Sequence, residues 1–152
     1  METTVAAPRV GLASWDIALQ TGAAPQFVDI TDQVLDRIGR SGLQHGLAVV
    51  TSQHTTASIV VNEHEPELLK DLSRLLGEIA PAASTYAHNG VPCGPNESAN
   101  GHSHCQALLL STSASIPITG GTLALGRYQR IFLVELDCPR PRRVTVMLLG
   151  TG

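Results

Sequence analysis

The sequence predicts an α+β fold: a single compact domain in which a mixed, largely antiparallel sheet is packed by two to three helices. Three observations lead there. Short β-branched runs recur along the chain, such as Leu47 to Thr51, Thr56 to Val61 and Gln129 to Leu136, as half-buried strands do. Two other segments carry apolar residues at helical spacing, around Val34, Leu35 and Ile38 and again from Leu68 to Ile79. Strands and helices are also interspersed without the regular alternation that a parallel sheet with crossover helices requires.

Taken in order, residues 1–12 read as a flexible N-terminal extension. Ser14 to Gln20 sets Trp15, Ile17 and Leu19 on one face and reads as a first strand. Gln26 to Asp29 is expected to pair with it across the Gly22-to-Pro25 turn. Thr31 stands where a helix N-cap belongs, ahead of the Val34, Leu35 and Ile38 stripe, and Gly42 is a fitting stop. Leu47 to Thr51 and Thr56 to Val61 follow as two strands, divided by the polar segment Ser52 to Thr55.

The clearest helix comes next. Pro66 suits a first turn, where its missing N–H costs nothing, and Glu63, Glu65 and Glu67 suit the positive helix start. Leu68, Leu69, Leu72, Leu75, Leu76 and Ile79 make its apolar face, and Pro81 ends it. Ala82 to Gly101, rich in Gly, Pro, Asn and Ser, reads as a long loop, and loops of that length are usually functional or disordered. Ser103 and Gln106 match a capping box, which would make His104 the first residue of a short helix to Leu110. Strands at Ser115 to Ile118, Thr122 to Leu125, Gln129 to Leu136 and Arg143 to Leu149 complete the chain.

Composition narrows the function classes. A chain of 152 residues, 43% hydrophobic, is long enough for one real core, and with 3% aromatics that core must be aliphatic. A net charge of -3 gives no reason to expect nucleic acid or an acidic membrane as partner. No apolar run approaches the roughly 20 residues of a membrane span. Met1 to Thr4 lacks the basic-then-apolar pattern of a signal peptide. Cys93, Cys105 and Cys138 are odd in number and scattered, which fits a reducing compartment better than a disulfide framework, so the expected location is the cytoplasm.

Three histidines stand out: His54 after an apolar strand, His88 opening the loop His88-Asn89-Gly90, and His104 before a helical stretch. Neutral imidazole binds metal and exchanges protons near neutrality. A zinc-type site takes roughly four ligands, so these three with a water or a carboxylate would suffice. Equally, the residues are compatible with histidines that are merely hydrogen-bonded at strand ends and in loops. At a helix start the dipole disfavours imidazolium and the free N–H groups suit an anion, which singles out His104. His102 is expected to point elsewhere, and His45 and His64 to lie on the surface.

Glu63, just past a strand, is placed to project beside His54 as ligand or base, or else to serve as a helix-start charge. Glu135 needs a partner if it is buried. Arg127, Arg130, Arg140, Arg142 and Arg143 suit phosphate or carboxylate, or a solvated strand edge. Neither a P-loop nor a Gly-x-Ser-x-Gly elbow is present.

The sequence resembles the YjbQ-like family, also called the secondary thiamine-phosphate synthase family. The resemblance runs in order through Asp29-Ile30-Thr31, Ser41-Gly42-Leu43, His54-Thr55-Thr56-Ala57-Ser58 and Asn62-Glu63. It continues through His88-Asn89, Gly101-His102-Ser103-His104, Ile116-Pro117-Ile118, Gly121 to Gln129 and Pro139 to Arg143. It implies a compact α+β domain assembling as a homotrimer. Its pocket would be lined by His54, Glu63, His88 and His104, with a divalent metal, zinc or magnesium, as the expected ion and no organic cofactor. The activity implied is a weak one that joins a pyrimidine diphosphate to a thiazole phosphate.

On that reading His54, Glu63 and His104 are the catalytic set, and His54, His88 and His104 the metal ligands. Thr55, Thr56, Asn100, Ser103, Arg127 and Gln129 are the substrate contacts. The partner is then a phosphorylated small molecule, with no nucleic acid and no membrane. Two other readings stay open: a metal-assisted hydrolase, and a non-catalytic trimer that binds a small anion or a metal. The sequence departs from the family pattern at Tyr128, where tryptophan is usual, and in a longer segment from Gly90 to Asn100. Asn89 stands where an acidic residue is common, which weakens a hard-cation site relative to an imidazole-rich one.

Overall fold

The strand-forming runs divide between two sheets. A computed structural model, which describes residues 9–91, 94 and 99–152, contains β1 (Gly11–Gln20), β2 (Gln26–Asp29), α1 (Thr31–Ser41), β3 (His45–Ser52), β4 (Ala57–Glu63) and α2 (Pro66–Ile79). A 3-10 turn at Ala87–Gly90 follows, then α3 (Gly101–Leu109), β5 (Ser113–Thr119), β6 (Thr122–Leu123), β7 (Gln129–Glu135) and β8 (Pro141–Thr151). The larger sheet has the order β1-β8-β3-β5-β6 and the smaller β2-β7-β4, with every pairing antiparallel.

β7 explains the layering. Its run Ile131-Phe132-Leu133-Val134 is wholly buried, although alternate residues of a strand point to opposite faces. Ile131 and Leu133 join the main core with Ile30, Val34 and Ile38 of the α1 region and Val50, Val146 and Leu148 of the larger sheet. Phe132 and Val134 join a second core with Leu76 of α2 and Ala107 of α3. The smaller sheet is therefore a middle layer, covered on both faces, in an α+β domain.

Several local expectations give way to tertiary contacts. β2 does not pair with β1. It pairs with β7, Gln26 opposite Glu135 and Asp29 opposite Phe132, while β1 runs its whole length beside β8. The chain crosses between sheets at Thr21 to Pro25, where Gln26 Oε1 accepts the N–H groups of Gly22 and Ala23. Phe27 thereby reaches Phe132 edge-to-face at 6.0 Å. Residues 11 and 12, expected in the flexible extension, are paired in β1, whereas residues 1–8 lie outside the described part.

Thr31 does not cap α1. It is the first helical residue, its N–H donates to Asp29 Oδ1, and its hydroxyl oxygen accepts the Ile131 N–H at 2.7 Å. Gly42 ends the helix in the left-handed region at φ 73°, as glycine permits. α2 matches its expected limits, with Glu65 accepting the Glu67 and Leu68 N–H groups.

The capping box does not form either. α3 begins at Gly101; the Ser103 hydroxyl donates to Leu136 O at 2.7 Å, and Gln106 Nε2 donates to Leu76 O and Ala80 O, each at 3.1 Å. Both side chains are buried, so carbonyls of β7 and α2 replace local N–H groups as their partners. Of the expected loop from Ala82 to Gly101, residues 92, 93 and 95–98, Cys93 among them, lie outside the described part. Among the described residues no helix is long and apolar enough to cross a membrane.

One end of the outer face of the larger sheet is apolar and exposed, whereas Asp16 and Thr145 occupy the other. The register aligns Leu12, Leu149, Leu47 and Pro117 in one row across β1, β8, β3 and β5, with Met147 and Val49 in the adjacent row. Leu12 is 68%, Leu149 47% and Met147 42% exposed.

Candidate functional site

The residues with chemical potential gather at the C-terminal end of β7. Glu135 interrupts an apolar strand and is fully buried, as is the Arg142 side chain nearly so. Arg142 Nε donates to Glu135 Oε2 at 2.6 Å and its Nη2 to Oε1, while the N–H groups of Leu136 and Asp137 donate to the same carboxylate. Thr21 Oγ1 lies 3.0 Å from Oε2. Burial alone would raise this pKa, but the Arg142 guanidinium and the Asp137 N–H outweigh it and leave it below the usual range. Arg142 Nη2 also donates to Thr56 Oγ1 at 3.0 Å.

Two further sets of residues meet at this end. On the β3–β4 side, Leu136 N–H donates to Thr56 O, and His54 is half-buried with Nε2 accepting the Arg143 N–H at 3.0 Å. Burial, with the Arg142 guanidinium second, lowers the His54 pKa. On the α3 side, Asn100 Nδ2 donates to Asp137 Oδ2 at 3.0 Å, and Arg140 Nη2 pairs with the same oxygen at 2.7 Å. Asn89 Oδ1 accepts the Gly101 N–H at 2.9 Å. This clasp brings the His88 and His104 rings into edge-to-face contact, 4.8 Å between centroids. Only glycine fits at position 101: a Cβ there would lie 2.5 Å from Tyr86 Cβ and 2.8 Å from its Cγ. His102 sits 3.2 Å from Ser103 Oγ through Nε2, and its buried Nδ1 has no partner among the described residues.

The expected site residues thus separate into two groups. His54, Thr55, Thr56, His88, Asn100, Ser103 and His104 belong to this end. Glu63 does not lie beside His54. It pairs across the ladder with Gln129, whereas Ala57 pairs with Glu135. A seven-residue strand divides the two ends, roughly 20 Å at about 3.3 Å per residue. At the far end Gln129 Oε1 accepts the Gly126 N–H, and the Arg127 guanidinium stacks on the exposed Tyr128 ring at 5.3 Å. Glu63, Arg127 and Gln129 are therefore not brought to the histidines within one chain. Thr56 and Ser103 are buried in internal hydrogen bonds and form the frame of the site.

The late arginines are also committed: Arg142 to Glu135, Arg140 to Asp137 and Cys138 Sγ, and Arg130 to Asp29 and Asp32. Arg143 lies 3.6 Å from Asp16. Arg130 and the Thr31 N–H hold the Asp29 carboxyl at a pKa of about 2 against the upward push of burial, with His64 Nδ1 2.9 Å from it.

The three-histidine metal set is not assembled in one chain. Among the described residues no three His, Cys, Asp or Glu side chains group closely enough to hold an ion. With Nε2 taken by the Arg143 N–H, neutral His54 carries its proton on Nδ1 and has no lone pair to offer. The donor set of a single chain does not fit the metal that the resemblance implies. The Glu135–Arg142 pair went unrecognised from sequence, although one signal was present: a carboxylate inside an apolar run must find a partner.

A family model described as "UPF0047 protein YjbQ-like" matches residues 16–151. A UPF0047 protein from Methanothermobacter thermautotrophicus is 36% identical over 135 residues, 89% of this chain and 90% of that one. Another from Archaeoglobus fulgidus is 37% identical over 134 residues, 88% of this chain and 99% of that one. The crystal structure of a YbjQ-like protein of unknown function from Sulfolobus solfataricus superimposes with a TM-score of 0.87 at 36% identity, covering 93% of this chain and 99% of that one. Sequence, fold and coverage agree: this chain belongs to the YjbQ-like UPF0047 family.

Proposed function

We propose that the protein is a transferase of the thiamine-phosphate-synthase type, acting on phosphorylated small molecules at the β7–α3 end. The observation that carries the reading is the contact between His88 and His104, two imidazoles held together by the Asn89–Gly101 clasp beside the start of α3. In the reaction the thiazole nitrogen attacks the methylene carbon of the pyrimidine. A C–N bond forms, the C–O bond breaks, and its electron pair leaves with the diphosphate. That departing charge must be met by preorganised donors. Each imidazole ring of His88 and His104 supplies an N–H donor to the diphosphate oxygens, and the first turn of α3 adds its partial positive charge. Glu135 and Arg142 neutralise each other and tie β7 of the smaller sheet to β8 of the larger.

The test supplies both phosphorylated precursors, with and without magnesium or zinc, and follows thiamine phosphate. His88→Ala and His104→Ala are each expected to lower the rate on the order of 100-fold, as loss of one preorganised donor to developing charge does. Wild-type protein giving no product above background would remove the reading, and unchanged rates in both variants would remove this site.

The proposal includes a homotrimer and a cytoplasmic location. The first is supported by the uncovered row of Leu12, Leu47, Leu149 and Pro117, an apolar sheet face of the kind that another surface covers. The second is supported by Cys105 and Cys138, both free thiols. Light scattering on the purified protein should give three times the chain mass, and Leu149→Glu should give the mass of one chain.

A further inference from the structure

We propose that His54 is a positioning residue whose imidazole replaces a missing strand rung, fixing the start of β8 and with it the Arg142–Glu135 pair. The β3–β8 ladder runs from His45 opposite Thr151 to Ser52 opposite Val144. One more step would set Gln53 against Arg143, but the β3 backbone turns away there. Ser52 closes that turn, its hydroxyl donating to Ala57 O at 3.0 Å and accepting the His54 N–H at 3.3 Å. The Arg143 N–H is left without a backbone acceptor, and His54 Nε2 meets it at 3.0 Å. Gln53 folds back onto the existing ladder instead, its Nε2 donating to the side-chain Oγ1 of Thr145, the partner of Thr51, at 2.8 Å. The His54 side chain thus extends the ladder by one rung past the point where the main chain leaves it.

The consequence reaches the site. Arg142, one residue before this rung, joins Glu135 to Thr56 through its side chain across β8, β7 and the β3–β4 turn. Holding Arg143 in place keeps that guanidinium aimed. An acceptor at Nε2 requires the neutral ring with its proton on Nδ1.

Nitrogen-15 NMR of the full chain and amide exchange at Arg143 test this without recourse to activity. Neutral His54 should show the Nδ1–H tautomer, and zinc chloride should leave its ring signals unmoved. His54→Ala should speed exchange of the Arg143 amide by about tenfold, as loss of one hydrogen bond does. His54→Gln, whose Oε1 can stand in for Nε2, should restore protection. An Nε2–H tautomer, a zinc-induced shift of the His54 ring, or an Arg143 amide indifferent to His54→Ala would each overturn the proposal. The tautomer and zinc measurements use the wild-type chain, so they decide the matter even if the alanine variant does not fold.

Discussion

Glu135→Ala is expected to cost about 3–5 kcal/mol, the loss typical of removing one partner of a buried ion pair. The reason is the residue left behind. Arg142 is 3% exposed as a side chain and Glu135 0%, so among the described residues the guanidinium would remain buried with Thr56 Oγ1 as its one side-chain partner. Since a folded domain is stable by only about 5–15 kcal/mol, this is a large share of the total. Chemical denaturation read by circular dichroism checks it. Glu135→Leu combined with Arg142→Met should recover most of the loss, because replacing both charges with apolar groups leaves nothing to desolvate. The exposed Arg74–Glu78 pair on α2 is the contrast: Glu78→Ala should leave stability almost unchanged, since solvent screens that pair. The sign with pH follows from the lowered Glu135 pKa. Its contribution is present above the ordinary carboxylate range and is lost as acid protonates it.

Gly46→Ala should be nearly as damaging, although it adds a single methyl group. Gly46, near the start of β3, stands opposite Gly150, near the end of β8, on two inner strands of the larger sheet. A Cβ at position 46 would overlap Leu149 O and lie 2.6 Å from Gly150 Cα, so the obstruction is backbone and cannot swing aside. Overpacking of a tight core costs about 1–3 kcal/mol or more, and a loss of 3 kcal/mol lowers the melting temperature of a chain this size by roughly 10 °C. Gly77→Ala in α2 is the matched control, because nothing lies within 4 Å of its added carbon. It should stabilise by about 0.5–1 kcal/mol, the helix-propensity gain of alanine over glycine. Thermal melts of the two variants should therefore move in opposite directions; equal shifts would contradict the close β3–β8 approach.

How far the sequence could be read depended on whether the deciding partner was local. α2 was legible to its ends, because Pro66, the acidic residues at its start and the leucine stripe all act within one helix, although that Glu65 caps it was seen only in the structure. Gly42 was legible for the same reason. Ser103 and Gln106 were not: their spacing suits a capping box, but carbonyls of Leu136, Leu76 and Ala80, about 26 to 33 residues away, proved the partners they meet in the buried core. β2 was legible as a strand yet not in its pairing, since a turn of a few residues suggested a hairpin while Phe27 reaches Phe132 in the other sheet.

The candidate site divides in the same way. From residues alone came its histidines, the family likeness and the need of a buried Glu135 for a partner. Three-dimensional packing decided the rest: it joined His88 to His104, gave Arg142 to Glu135, tied His54 to Arg143 across 89 residues, and put Glu63 at the opposite end of β4. Periodicity and capping record short-range preferences of the backbone, so they determine which segments become strands or helices. Which charges and imidazoles end up as neighbours depends on sheet order and register, and those are settled only when distant strands bury their faces together.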